Sequence, residues 1–211
     1  MTERKLSGIY GILPADLPDG ELLEKAEAAL QGGVRLLQLR DKKTGFRRSL
    51  KRAIRLRELA HRFGARMLVN DSLQLAVESG ADGVHLGRSD LQNMTQLRNE
   101  VGHAFLVGVS CKADAAFAMH VLGEGADYVS FGAIFPTGSK ADATPIGLPR
   151  LAKARQMFPE ANICAIGGIT LETLPTVRQA GADCAAVISS LFSAGDIETQ
   201  ARSMIEAWQG A

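Results

Sequence analysis

The chain has 211 residues, 46% of them hydrophobic and 22% charged, with 24 Lys and Arg against 23 Asp and Glu, a balance that excludes a disordered or collagen-like polymer. A formal net charge of +1 supplies no general attraction for nucleic acid, and no apolar run reaches the ~18 residues of a membrane span. Cys111, Cys164 and Cys184 are odd in number and lack CxxC spacing, and the charged N-terminus lacks a signal peptide's apolar stretch, so a cytoplasmic protein is expected.

In chain order, the apolar bursts predict strands over residues 8–13, 34–40, 66–70, 83–86, 105–110, 128–132, 162–166 and 185–188. Helical periodicity fills the gaps, over residues 20–31, 46–63, 72–79, 91–101, 113–123, 148–157, 171–179 and 197–208. Asp90, Thr170 and Asp196 read as start signals for the helices that follow them. A glycine followed by small residues and an apolar burst recurs at Gly33, Gly80-Ala81-Asp82, Gly125-Ala126-Asp127 and Gly181-Ala182-Asp183, the pattern of a helix that ends on glycine and turns directly into a strand. Eight strand-helix pairs allow about 26 residues each, room for a ~5-residue strand, a ~11-residue helix and short loops. The expectation is α/β, a single (β/α)8 TIM barrel over residues 1–211; strict alternation also suits an open doubly wound sheet, but the fourfold spacing favours closure. Residues 133–147 form the one long loop without a pattern of its own, the kind of loop that serves a site or closes over one.

A barrel of this type places its site at the C-terminal ends of the strands, and polar residues are dense there. Gln38, Arg40 and Lys42 share one face of the second strand; a glutamine and two cations suit a phosphate or pyrophosphate, and equally a solvated strand end beside the basic run Arg47-Arg48-Ser49-Leu50-Lys51-Arg52, itself read as a solvated face. The third strand ends Asn70-Asp71 and the fourth is followed by Arg88-Ser89-Asp90. Neighbouring strands lie ~4.8 Å apart, so Asp71 and Asp90 can share a magnesium ion completed by substrate phosphate and water; each also suits a helix cap. Ser110 ends the fifth strand, and Thr137-Gly138-Ser139-Lys140 follows the sixth, hydroxyls and a lysine able to wrap phosphate oxygens. Gly167-Gly168 and Ile188-Ser189 end the last two strands, where such barrels bind a phosphate on exposed amides; a tight packing turn is the plainer role of the glycine pair. His85 is either a base or a histidine hydrogen-bonded inside the barrel, Cys111 packs, and Trp208 docks the last helix. No spacing suggests zinc or a covalent nucleophile.

Gln38-Leu39-Arg40-Asp41-Lys42, Val69-Asn70-Asp71, Gly83-Val84-His85-Leu86-Gly87 through Asp90, Gly108-Val109-Ser110, Phe135-Pro136-Thr137 through Lys140, Gly167-Gly168-Ile169-Thr170 and Val187-Ile188-Ser189 together resemble the thiamine-phosphate synthase family, also called thiamine-phosphate pyrophosphorylases, over nearly the whole chain. The resemblance implies a (β/α)8 barrel that joins 4-amino-5-hydroxymethyl-2-methylpyrimidine diphosphate to 4-methyl-5-(2-phosphoethyl)thiazole, giving thiamine phosphate and pyrophosphate. It implies magnesium on Asp71 and Asp90, pyrophosphate contacts from Arg40, Lys42, Asn70, Ser110 and Lys140, Gln38 facing the pyrimidine, Thr137 and Ser139 touching the thiazole partner and pyrophosphate, and Gly168, Ile188 and Ser189 around the thiazole phosphate. Arg40, Ser110 and Lys140 would act directly in catalysis. The implied mechanism is dissociative: pyrophosphate leaves, an aminopyrimidine-stabilised cation forms, and the thiazole nitrogen attacks it. The partners are two phosphorylated small molecules, with no nucleic acid and no membrane, and the family implies a homo-oligomer. Arg88 stands where the family commonly has glutamine, and Gly138-Ser139 replaces a more usual Pro-Thr or Glu-Thr. A thiazole tautomerase of the same superfamily, a ribulose-phosphate epimerase-like barrel and a non-catalytic thiamine-phosphate binding protein are the competing readings; pyrophosphate-directed acids and cations argue against each.

Overall fold

The computed structural model describes residues 6–14, 16–91, 93–138 and 144–211. Eight parallel strands close on themselves in chain order: β1 (Gly8–Leu13), β2 (Leu36–Leu39), β3 (Arg66–Asn70), β4 (Gly83–Leu86), β5 (Leu106–Lys112), β6 (Tyr128–Gly132), β7 (Ile163–Ile166) and β8 (Cys184–Val187), with β8 pairing back to β1. The helices are α1 (Asp19–Gln31), α2 (Phe46–Arg62), α3 (Leu73–Ser79), α4 (Met94–Val101), α5 (Ala115–Gly123), α6 (Gly147–Met157), α7 (Leu174–Gln179), the short α8 (Ser189–Phe192) and α9 (Ile197–Gln209). Alternation along each strand sorts the side chains into two cores. Tyr10, Leu36, Leu68, Leu106, Tyr128, Cys164 and Cys184 fill the barrel interior, while Leu13, Leu37, Val69, Val84, Val107 and Ala185 pack outward against the helices.

The recurring glycines all take positive φ between helix and strand, at 102° for Gly33, 67° for Gly80, 104° for Gly125 and 100° for Gly181, as the sequence pattern predicts. The aspartate that follows three of them has its own task. Asp82, Asp127 and Asp183 accept from the backbone N–H groups of Met67, Val107 and Ile163 at 2.7, 2.7 and 2.8 Å, tying the start of one strand to the start of the strand before it. Cations brace two of these clamps: Arg155 binds Asp183, and Arg98 reaches Asp127 at 2.8 Å while also donating to the carbonyls of Gly102, Phe105 and Gly125. The side chains of Arg98 and Asp127 are each 7% exposed, so removing one partner strands the other's charge. Asp127→Ala is expected to cost roughly 3–5 kcal/mol of stability, read as a lower urea midpoint with unchanged m-value.

Several helix starts differ from the pattern. The sequence predicts a helix from Leu91 capped by Asp90; α4 begins at Met94, capped by Asn93, whose side chain accepts from the Gln96 N–H. Asp90 instead closes a tight turn by accepting from the Gly87 N–H at 3.1 Å. The Thr170 signal is displaced likewise: its N–H donates to the Thr173 hydroxyl at 2.9 Å, and α7 starts at Leu174. Asp196 caps α9 as expected, accepting from the Thr199 N–H at 3.0 Å. The basic run of α2 is not wholly solvated, because Arg52 is buried and pairs with Asp41 at 3.0 Å and Asp19 at 2.8 Å. Among the described residues no helix is long and apolar enough to cross a membrane.

Candidate active site

Alternation at the end of β2 divides the charges between the two sides of the wall. Asp41 turns outward, 1% exposed, and accepts from Arg52 and from the Ser49 hydroxyl, each at 3.0 Å, which fastens α2 to the strand end. Lys42 instead meets Asp71 across the β2–β3 boundary, Nζ to Oδ2 at 3.2 Å. Arg40, the residue after β2, is half-buried, with no carboxylate partner among the described residues. Gln38 sits deeper, buried, its Nε2 donating to the Tyr10 hydroxyl at 2.6 Å.

Asp71 follows β3 with φ of +64°, a left-handed conformation that non-glycine residues seldom take and that clusters at functional sites. Its N–H donates to the His85 carbonyl at 2.8 Å, which locks the first residue after β3 onto β4. The helix-cap alternative for Asp71 falls away, because Ser72 caps α3 by accepting from the Leu75 N–H. Asp71 and Asp90 each use only Oδ2 in these contacts, and their Oδ1 atoms accept nothing among the described residues. Asn70 lies at the end of β3 in register with His85.

On the other side of the mouth, β5 is irregular at its end. The register slips between Ser110 and Lys112, and Lys112 has φ of +54°; bulges of this kind re-aim side chains beside active sites. Ser110 pairs in register with Ser130 of β6. Ser130 was given no part by the sequence pattern, yet its hydroxyl is buried in the barrel with no partner among the described residues. Cys111, between the bulge residues, is buried and burial pushes its thiol up to about 12, which fits packing. Arg88 turns to α5: it pairs with Asp114 at 2.5 Å and lies 4.0 Å over the Phe117 ring, so it braces the loop after β4 against the start of that helix.

The loop after β6 leans on the loop after β7. The Phe135 N–H donates to the Gly167 carbonyl at 3.0 Å, and Ile146 and Gly147 return their N–H groups to the carbonyls of Ala133 and Ile134, which pins both feet of the loop. Thr137 is half-buried in it; Ser139 and Lys140 lie outside the described residues. Gly167 and Gly168 have φ of +102° and +65°, and a Cβ on Gly168 would fall 2.4 Å from the Pro136 carbonyl oxygen. The glycine pair is therefore required by close approach of two backbones. After β8, Ile188 precedes the four-residue α8 that starts at Ser189. Among the described residues nothing accepts from the amides of Gly168 or Ser189, leaving donors available at the ends of β7 and β8.

Inside the barrel His85 stands against Tyr128, Nδ1 to hydroxyl 2.8 Å, with the rings stacked at 5.5 Å. Burial pulls its imidazole down to about 4, the charge of Asp71 acting the other way, so near neutrality it is an uncharged hydrogen-bonding group. The hydrogen-bonded role expected of a barrel histidine is what the structure shows. A groove of about 440 Å³ between Glu27 of α1 and Arg55, Glu58 and Arg62 of α2 belongs to the outer helix layer and shares no residue with the mouth.

A family model described as Thiamine monophosphate synthase matches residues 9–191. The thiamine-phosphate synthase of Thioalkalivibrio sulfidiphilus is 40% identical over 205 residues, spanning 96% of each chain. That of Chromobacterium violaceum is 41% identical over 207 residues, spanning 98% of each. Among solved structures, the thiamine phosphate pyrophosphorylase from Pyrococcus furiosus superposes with a TM-score of 0.86 at 28% identity, covering 98% of both chains. A 3-hexulose-6-phosphate synthase, with a TM-score of 0.70 at 20% identity, shares the fold alone.

Proposed function

This chain belongs to the thiamine monophosphate synthase family and is an enzyme that makes thiamine phosphate; from that premise we propose how its barrel mouth performs the coupling. The observation that carries the reading is the Lys42–Asp71 pair at 3.2 Å beside Arg40, acid and cations gathered at one end of the barrel as a metal-bound diphosphate requires.

The donor set fits magnesium. Asp71 and Asp90 each keep an oxygen without a partner among the described residues, where no group of three or more His, Cys, Asp or Glu is placed to hold a metal ion. Two carboxylates, with phosphate oxygens and water to complete the shell, suit magnesium and fall short of a zinc site. Bound there, the ion would neutralise charge growing on the departing pyrophosphate.

Arg40, with its forked guanidinium, and Lys42, as a point charge, would hold the pyrophosphate oxygens, helped by Asn70, Ser110 and Lys140. The bond between the pyrimidine methylene and oxygen breaks, the electron pair leaves with pyrophosphate, and the exocyclic amine feeds electrons into the ring to support the cation. Gln38 would face that pyrimidine. Thr137 and Ser139 would guide the thiazole, whose phosphate would rest on the amides of Gly168 and Ser189 beside Ile188. The thiazole nitrogen then bonds to the methylene carbon. No protein nucleophile is needed; the enzyme supplies orientation and fixed charge aimed at the leaving group. Free, buried cysteines suit the cytoplasm as the place of this work.

The test is pyrophosphate release from the two substrates with and without EDTA. Release that requires both substrates and a divalent metal is expected. Isomerisation of a thiazole phosphate without coupling would select the tautomerase reading, and thiamine phosphate binding without turnover the binding-protein reading.

A further inference from the structure

Four polar side chains from four different strands form a closed file in the barrel interior beneath the mouth. Gln38 Nε2 donates to the Tyr10 hydroxyl at 2.6 Å, the Tyr10 and Tyr128 hydroxyls lie 3.2 Å apart, and Tyr128 reaches His85 Nδ1 at 2.8 Å. Gln38, Tyr10 and Tyr128 are all buried. The position of Tyr128 is enforced from β5: a Cβ on Gly108 would lie 2.0 Å from the Tyr128 ring, so only glycine there leaves room for the phenol. Burial pushes both phenols above their ordinary range, so each keeps its proton.

Each phenol has one proton to give, and this makes the file directional. With Gln38 donating to Tyr10, the Tyr10 proton goes to Tyr128 and the Tyr128 proton to His85 Nδ1, which places the imidazole proton on Nε2. The only other arrangement that gives each phenol proton an acceptor in the file and leaves no two lone pairs facing each other reverses every link: the Gln38 amide turns over, and His85 carries its proton on Nδ1. A mixed arrangement leaves a buried polar group unsatisfied, which costs more than any one of these bonds gains.

We propose that Tyr10 and Tyr128 are positioning residues whose hydroxyls, together with His85, fix which end of the Gln38 amide is offered to the pyrimidine. The proposal rests on the reading that this mouth binds an aminopyrimidine diphosphate. With Nε2 turned to Tyr10, Oε1 is the free end, and it accepts no hydrogen bond among the described residues. A carbonyl oxygen complements an exocyclic amine; the reversed file would set an N–H against N–H. As pyrophosphate departs and the amine's electrons move into the ring, its N–H groups become stronger donors, so the acceptor gains most in the transition state.

The tautomer of His85 reports the direction of the file without any substrate. Nitrogen NMR of the whole protein is expected to show His85 protonated on Nε2. Tyr10→Phe, which removes no atom bonded to His85, is expected to turn this into a mixture of tautomers, and Gln38→Met cuts the same link from its other side should the first variant fail to fold. Steady-state kinetics of Tyr10→Phe and Tyr128→Phe should show kcat/KM for the pyrimidine substrate about tenfold lower, with KM for the thiazole phosphate unchanged. His85 protonated on Nδ1 in the unaltered protein, or an unchanged tautomer in both Tyr10→Phe and Gln38→Met, overturns the proposal. So does loss of stability in the tyrosine variants with kcat/KM for the pyrimidine unchanged. If the file behaves as described while the unaltered protein makes no thiamine phosphate, the functional reading fails and the directional file stands.

Discussion

Asp71→Asn is expected to slow pyrophosphate release about a thousandfold, ~4 kcal/mol of barrier, with the fold intact. Asparagine is the informative substitution because it tolerates the left-handed backbone that Asp71 occupies at φ of +64° and keeps the N–H bond to the His85 carbonyl. What it removes is charge. The loss acts twice: the carboxylate proposed to hold magnesium becomes a neutral amide, and Lys42, now 3.2 Å from Asp71 Oδ2, loses the partner that holds its ammonium at the mouth. Asp71→Ala should lose as much activity and add a stability cost from forcing alanine into positive φ. Single-turnover release with both substrates saturating measures the step directly. An Asp71→Asn enzyme with near-normal turnover would remove the basis for a metal-assisted departure at this position.

The barrel was legible because its strands are short apolar bursts bounded by glycine and polar residues; β1, β3, β4 and β6 begin and end where the pattern puts them. Helix starts were less so, since Asp90 and Thr170 look like caps and serve instead to close turns ahead of Asn93 and Thr173. The four-residue α8 is shorter than any helical period can reveal. In the repeated Gly-Ala-Asp segments the glycines announced a turn, whereas the aspartates bind backbone N–H groups 15 or 20 residues earlier in the chain, a partner that no local spacing discloses. The polar rim shares this asymmetry. Residues at strand ends stand out by letter, but Tyr10 and Tyr128 lie within apolar bursts and meet across 118 residues of chain, so nothing short of closure brings their hydroxyls together.

The second large effect falls at the other end of the mouth. Gly168→Ala is expected to raise KM for the thiazole phosphate about a hundredfold, the scale of a displacement of roughly 1 Å in a positioning group. The new methyl meets the Pro136 carbonyl oxygen at 2.4 Å and the Phe135 Cβ at 2.8 Å, in a backbone at φ of +65° that disfavours any side chain. Neither neighbour can yield freely: the Phe135 N–H is bonded to the Gly167 carbonyl, and the foot of the loop is held where Ile146 bonds Ala133. Relief must come from tilting the Gly168 peptide or lifting the segment that carries Thr137. Either movement withdraws the free amide proposed to receive the thiazole phosphate. The Lys42–Asp71 end lies on β2 and β3, across the barrel from β6 and β7, so KM for the pyrimidine diphosphate should change far less. This split between the two substrates separates a phosphate seat from a packing turn. If Gly168→Ala lowers the melting temperature and leaves both KM values alone, the glycine pair serves only to let the backbones after β6 and β7 approach.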